Sequence, residues 1–109
     1  MKNDVIKRLR ELPGEIQAQE NALLEAVQYQ EAYAESLSNT EAGLLLSGII
    51  DGKNAEIRAA QMKDKTAEER AKVKEAENLV ANARIGLNAL LNELKALQAI
   101  ARLLDREVA

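Results

Sequence analysis

Residues 73–104 read VKEAENLVANARIGLNALLNELKALQAIARLL. Within them Val73, Ala76, Val80, Ala83, Leu87, Leu90, Leu94, Leu97, Ala101 and Leu104 recur at alternating steps of 3 and 4, without a gap. That spacing keeps one stripe of a helix turned toward a neighbour, as in a coiled-coil seam. Leu79, Ile85, Leu91, Ile100 and Leu103 widen the stripe on both sides. A single facing helix covers a narrow seam, so this breadth predicts a bundle of three or four helices.

The nearest strong turn lies upstream, at Asp51-Gly52-Lys53-Asn54. Gly52 suits a left-handed helix cap, and Asn54 suits the start of the next helix. With the turn there, positions whose numbers add to about 105 face each other in an antiparallel hairpin. Met1 then falls near Leu104, Asn39 opposite Thr66, Glu31 opposite Lys74 and Glu35 opposite Arg70. The organisation expected is a single domain, 1–109: a short helix at 3–12, arm one at 13–51, the turn at 51–54 and arm two at 55–107. Pro13-Gly14 separates the short helix from arm one, because proline disfavours the helical state in the residue before it. Softer breaks are expected at 38–40 and 63–66, the second carrying Thr66-Ala67-Glu68-Glu69, a capping-box pattern. On arm one Ile16, Leu23, Val27, Ala34 and Leu37 mark a weaker stripe, interrupted by Glu20 and Gln30.

The 109 residues are 47% apolar, with no Phe, Trp, Cys or His. The core must be aliphatic and rich in alanine, which suits closely approaching helices better than a thick globular centre. Two thin helices cannot cover all their apolar surface, so self-association or a partner is expected. Without cysteine there is no disulfide framework to imply secretion. No apolar run nears the roughly 20 residues of a membrane span, and the first residues lead into an amphipathic segment instead of a signal core. The reading is of a soluble, cytoplasmic chain with no membrane partner. Charge is segregated: residues 14–51 hold seven acids and no Lys or Arg, whereas 52–109 hold eleven basic and nine acidic groups. Cross-arm pairs of this kind are worth about 0.2–1 kcal/mol each and set register more than stability.

Catalysis finds little support. The commonest general base and the best nucleophile, His and Cys, are missing, and no phosphate-cradling glycine loop or zinc spacing occurs. Glu31 and Glu35 share a helix face, but no His follows a Glu at the spacing that di-metal bundles use. No cofactor, metal or enzymatic activity is expected. Lys2, Lys7, Arg8 and Arg10 cluster at the N-terminus, and the hairpin brings Arg102 and Arg106 to the same end, with acids between them. These six are the candidate nucleic-acid contacts. Tyr29 and Tyr33, the only aromatics, sit in the acidic arm, poorly placed to stack on bases; at i and i+4 they either mark a protein interface or cover neighbouring core. At the other end Leu44, Leu45, Leu46, Ile49 and Ile50 precede the turn. Consecutive residues point about 100° apart, so one of three adjacent leucines must face outward, and such a patch marks an association surface.

The opening Leu9-Arg10-Glu11-Leu12-Pro13-Gly14-Glu15-Ile16, the central Gly52-Lys53-Asn54-Ala55-Glu56-Ile57-Arg58 and the closing heptads through Leu104 resemble small coiled-coil proteins of tailed phages and prophages of Gram-positive bacteria. The resemblance implies an intracellular, non-enzymatic accessory role, in the neighbourhood of recombination or single-strand handling. It carries no site residues with it, and the acidic arm departs from what a dedicated DNA binder needs.

The expectation is therefore an all-α, long antiparallel helical hairpin with a short N-terminal helix, completing a bundle by oligomerisation, with a dimer favoured. The interface expected comprises Leu44, Leu45, Leu46, Ile49 and Ile50 with Leu87, Leu90, Leu94, Leu97 and Leu104. The function expected is structural or adaptor. Two alternatives remain: an accessory nucleic-acid binder working through the basic end, and an inhibitor of a host protein whose acidic arm imitates a phosphate backbone.

Overall fold

The structure, a computed structural model, describes residues 1–108. It is all-α: α1 spans Lys2–Leu46, α2 Ala55–Lys65 and α3 Ala67–Val108, with no strand among the described residues. The fold is the helical hairpin expected from the heptads. The chain divides into two units, one formed by Met1–Glu25 and the chain from Ala81 onward, the other by Ala26–Val80.

In the first unit the start of α1 runs antiparallel to the end of α3. Arg8 reaches Glu93, and further along α1 the Gln19 side chain donates to the Ala83 carbonyl at 3.0 Å. Val5, Leu12 and Ala83 are buried. The break expected at Pro13 does not occur, and the separate helix at 3–12 with it: Pro13 lies inside α1. Proline removes the hydrogen bond to the Leu9 carbonyl and crowds it, but here its ring is on the solvent side. Leu12, fully buried before it, and Ile16, half-buried after it, hold the helix together across the gap.

Shielded positions of α1 at Val5, Leu9, Leu12, Ile16, Gln19, Leu23, Ala26, Gln30, Leu37, Thr40 and Leu44 form one stripe, flanked by half-buried Arg8, Val27 and Glu41, and half-exposed Tyr33 completes the alternation of 4 and 3. The stripe therefore runs through Gln19, Ala26 and Tyr33 in place of the expected Glu20, Val27 and Ala34, with Val27 half-buried beside it. It also passes through Ser38–Thr40 without the soft break. Gln19 keeps its place in the seam because its amide is satisfied by the Ala83 carbonyl and because Gly86 leaves it room. A Cβ on Gly86 would stand 2.6 Å from the Gln19 amide nitrogen.

In the second unit the rest of α1 returns through a loop into α2 and the start of α3. Arm one ends at Leu46, five positions short of the expected 51. Gly48, at φ +76°, supplies the left-handed cap expected of Gly52, and the Ser47 and Gly48 amides close back onto the Gly43 and Leu45 carbonyls. Gly52 is needed for space: a Cβ there would meet Ile57 Cγ2 at 2.5 Å. The Gln61 side chain clips the loop down. Its Oε1 accepts from the Asp51 and Gly52 amides, and its Nε2 donates to Asp51 Oδ1. Asn54 caps α2 as expected, its Oδ1 accepting from the Ile57 amide at 2.9 Å.

Thr66 separates α2 from α3 at the expected soft break, though not as a capping box. The i→i−4 bonding continues through it, from the Thr66 amide to Met62 O and from the Arg70 amide to Thr66 O. Only its dihedrals, φ −115° and ψ 21°, leave the helical region. Its buried hydroxyl donates back to Met62 O at 2.7 Å and accepts from Arg70 Nε. Back-bonding of this kind bends a helix. Ala26, Ile50, Met62, Thr66, Ala76 and Val80 form the small core of this unit. The pairs Glu31–Lys74 and Glu35–Arg70 do not form. Arg70 pairs with Glu41 at 3.9 Å and Lys74 with Glu77 at 4.0 Å. Glu31 and Glu35 lie off the shielded stripe, whereas Glu41 flanks it.

Candidate self-association surfaces

Four surfaces have chemistry to offer, and each is set by how its element ends or packs. At the loop end of α1, Leu44 lies half-buried on the seam, but Leu45 and Leu46 are 58% and 89% exposed. Ile49 and Ile57 are half-exposed beside the same loop. Ile50, expected in this patch, is instead buried and belongs to the core. The early helix end explains the difference: past Gly48 the chain is no longer helical, and Ile50 turns inward.

Along α3 the seam closes unevenly. Ala76, Val80 and Ala83 are buried, whereas Leu87, Leu90, Leu94, Leu97 and Leu104 are only half-buried, as are Leu91 and Ile100. At Ala76 and Ala83 the small side chains let one facing helix come close enough to cover them, whereas Val73 and Ala101 of the same seam stay half-buried. The bulkier leucines stand taller and keep part of their surface open.

The basic residues are not equivalent. Lys2, Lys7, Arg10, Arg102 and Arg106 are exposed. Arg8 is taken up internally. Its guanidinium forks onto Glu93, Nε to Oε2 at 2.5 Å and Nη2 to Oε1 at 2.7 Å, and also reaches Glu15 and Glu11. The hydrogen bonds that Arg8 donates to Glu93 and then to Glu15 raise its pKa above the ordinary value. In return Arg8 holds the Glu93 carboxyl below the ordinary glutamate range. Arg8 is therefore a register-setting residue of the hairpin and no longer a free phosphate ligand.

Tyr29 and Tyr33 sit one turn apart on α1 with their rings stacked, centroids 6.3 Å apart and planes 19° apart. With Lys72, Glu75, Ala76 and Leu79 of α3 they line a groove of about 240 Å³. Among the described residues no group of three carboxylates or other ligands gathers in a way that holds a metal. No described helix is long and apolar enough to cross a membrane.

The Gln61 clip and the Gln19–Gly86 contact escape a reading of the sequence. A Gln on the stripe, opposite a helical Gly, is the signal that locates the second; the first has none. No family model matches the chain, and no curated protein and no solved structure matches it either.

Proposed function

We propose that this chain is a non-enzymatic adaptor or scaffold of the cytoplasm that self-associates, as a dimer, and presents its ends to partner proteins. The observation that supports it is the half-buried row Leu87, Leu90, Leu94, Leu97 and Leu104, opposite a single facing helix. Each leucine gains about 25 cal/mol for every Å² of apolar surface removed from water. A further helix laid on that row recovers what the hairpin alone leaves open. The exposed Leu45 and Leu46 at the end of α1, with Ile49 in the loop that follows, add a second apolar surface, beside which Gln61 ties down Asp51 and Gly52.

Light scattering on a sizing column across a range of concentrations tests the reading. A stable mass of two chains is the expected result, and a helical monomer at all concentrations overturns it. The double variant Leu45→Glu with Ile49→Glu assigns the loop patch. Weakened assembly with unchanged helix content is expected if the patch takes part, and unchanged mass removes it from the interface.

A second reading, an accessory role on nucleic acid, draws on Lys2, Lys7 and Arg10, exposed and in no ion pair with another described residue. It predicts DNA binding at low salt that falls steeply as salt rises. Absence of binding at low salt ends it.

A further inference from the structure

The chain's only two aromatic residues are not in its core. Tyr29 and Tyr33 are 49% and 37% exposed, and Leu79 beside them is 50% exposed. An aliphatic protein that keeps both tyrosines stacked on its surface, across from a half-exposed leucine, has the composition of an interface centre. Tyrosine is enriched there because it brings large apolar area with few rotors to freeze.

The charges in the groove say what covers it. Lys72 and Glu75 line it from the same helix, three residues apart, one of each sign, and neither is ion-paired to another described residue. A uniformly acidic or basic partner would satisfy one and repel the other. A second groove of the same kind satisfies both. In a two-fold contact, if residue i meets residue j then j meets i. Turning one copy about an axis between Lys72 and Glu75 sets the two α3 helices antiparallel. Lys72 of each copy then stands opposite Glu75 of the other.

We infer that the Tyr29–Tyr33–Leu79 groove is a two-fold contact with a second copy of this chain, its register fixed by two reciprocal Lys72–Glu75 pairs. This rests on the self-association proposed above and names one of its faces.

Charge reversal tests it, because both positions are exposed and the variants keep the helix. Lys72→Glu and Glu75→Lys are made singly, and each is weighed alone and in an equimolar mixture by sedimentation equilibrium. Alone, each variant sets like charges against each other twice and weakens the dimer about tenfold or more. Mixed, one copy carries two acids and the other two bases, and the mixture recovers the wild-type dimer. Tyrosine emission, which comes from these two residues alone, gains protection from acrylamide in the wild type and in the mixture but not in either single variant. If both single variants associate as the wild type does, or if the mixture stays monomeric, the groove is not the contact, although self-association stands. If the wild type is itself a monomer, both this contact and the reading beneath it fall.

Discussion

Gly48 and Gly52 bracket the same loop for different reasons, and substitution separates them. Gly48 has φ +76° and open space around its Cα. An alanine there adds a left-handed strain of about 1–2 kcal/mol, but Asn, which tolerates that region, restores most of it. Gly52 has no such dihedral, yet a Cβ would press on Ile57 and stand 3.0 Å from the Arg58 nitrogen. Gly52→Ala and Gly52→Asn should both destabilise, by about 1–3 kcal/mol, as read from urea midpoints. A Gly52→Asn midpoint equal to the wild type's would refute the steric account. Glu93 makes a prediction of its own. Its carboxyl titrates below the ordinary range because Arg8 donates to it. A carboxyl with a depressed folded value stabilises the fold above its unfolded value, near pH 4.3, and that contribution fades as pH falls through the lower folded value. The wild type should therefore lose thermal stability on acidification below about pH 4.3. Glu93→Gln, which starts lower, should lose less over the same interval. Parallel losses would show that the fork between Arg8 and Glu93 does not contribute.

The legibility of the helices depends on who supplies the stripe. In α3 every seam position is aliphatic, so the heptads announce helix, face and extent together. In α1 the stripe passes through Gln19, Gln30 and Thr40, and the polar residues conceal its phase. The eye moves to Glu20 and Ala34, both exposed. Pro13 misleads for a related reason. Proline is read from its own backbone chemistry, whereas Leu12 and Ile16 decide the outcome by packing on α3, a contact far away in sequence. The local penalty is still present. Removing it by Pro13→Ala, at an exposed position of a helix already formed, should stabilise the protein by up to about 3 kcal/mol, as an upward shift of the denaturation midpoint. A fall in stability would mean that the proline ring is itself packed. The loop shows the opposite limit. Asn54 is legible because capping is a rule about neighbours, while the Gln61 clip ties groups nine and ten residues away and follows no local pattern. Of the candidate interface, the sequence shows only that at least one of the three adjacent leucines faces outward; which ones do, Leu45 and Leu46, depends on the phase of the stripe. The burial of Ile50 was not legible, because it depends on Gly48 ending the helix first.

At the scale of the whole chain, the apolar residues fall into two classes that a thermodynamic experiment can tell apart. Leu12 is fully buried within one chain, whereas Leu94 is half-buried on the row proposed for self-association. Truncating a side chain that a single chain buries costs about 2–5 kcal/mol, whatever the protein concentration. Truncating one that only assembly finishes burying acts through the association equilibrium, whose contribution to thermal stability grows with concentration. The wild type should therefore melt higher when concentrated. Leu12→Ala should lower the melting temperature by similar amounts at low and high concentration, keeping that rise. Leu94→Ala should lower it little when dilute and much more when concentrated, flattening the rise. Both variants are made at helical positions, and alanine is the best helix former, so a lost helix does not confuse the comparison. If the wild-type melting temperature is independent of concentration and Leu94→Ala merely follows Leu12→Ala, the leucine row is finished within one chain. The adaptor reading then loses the observation on which it stands.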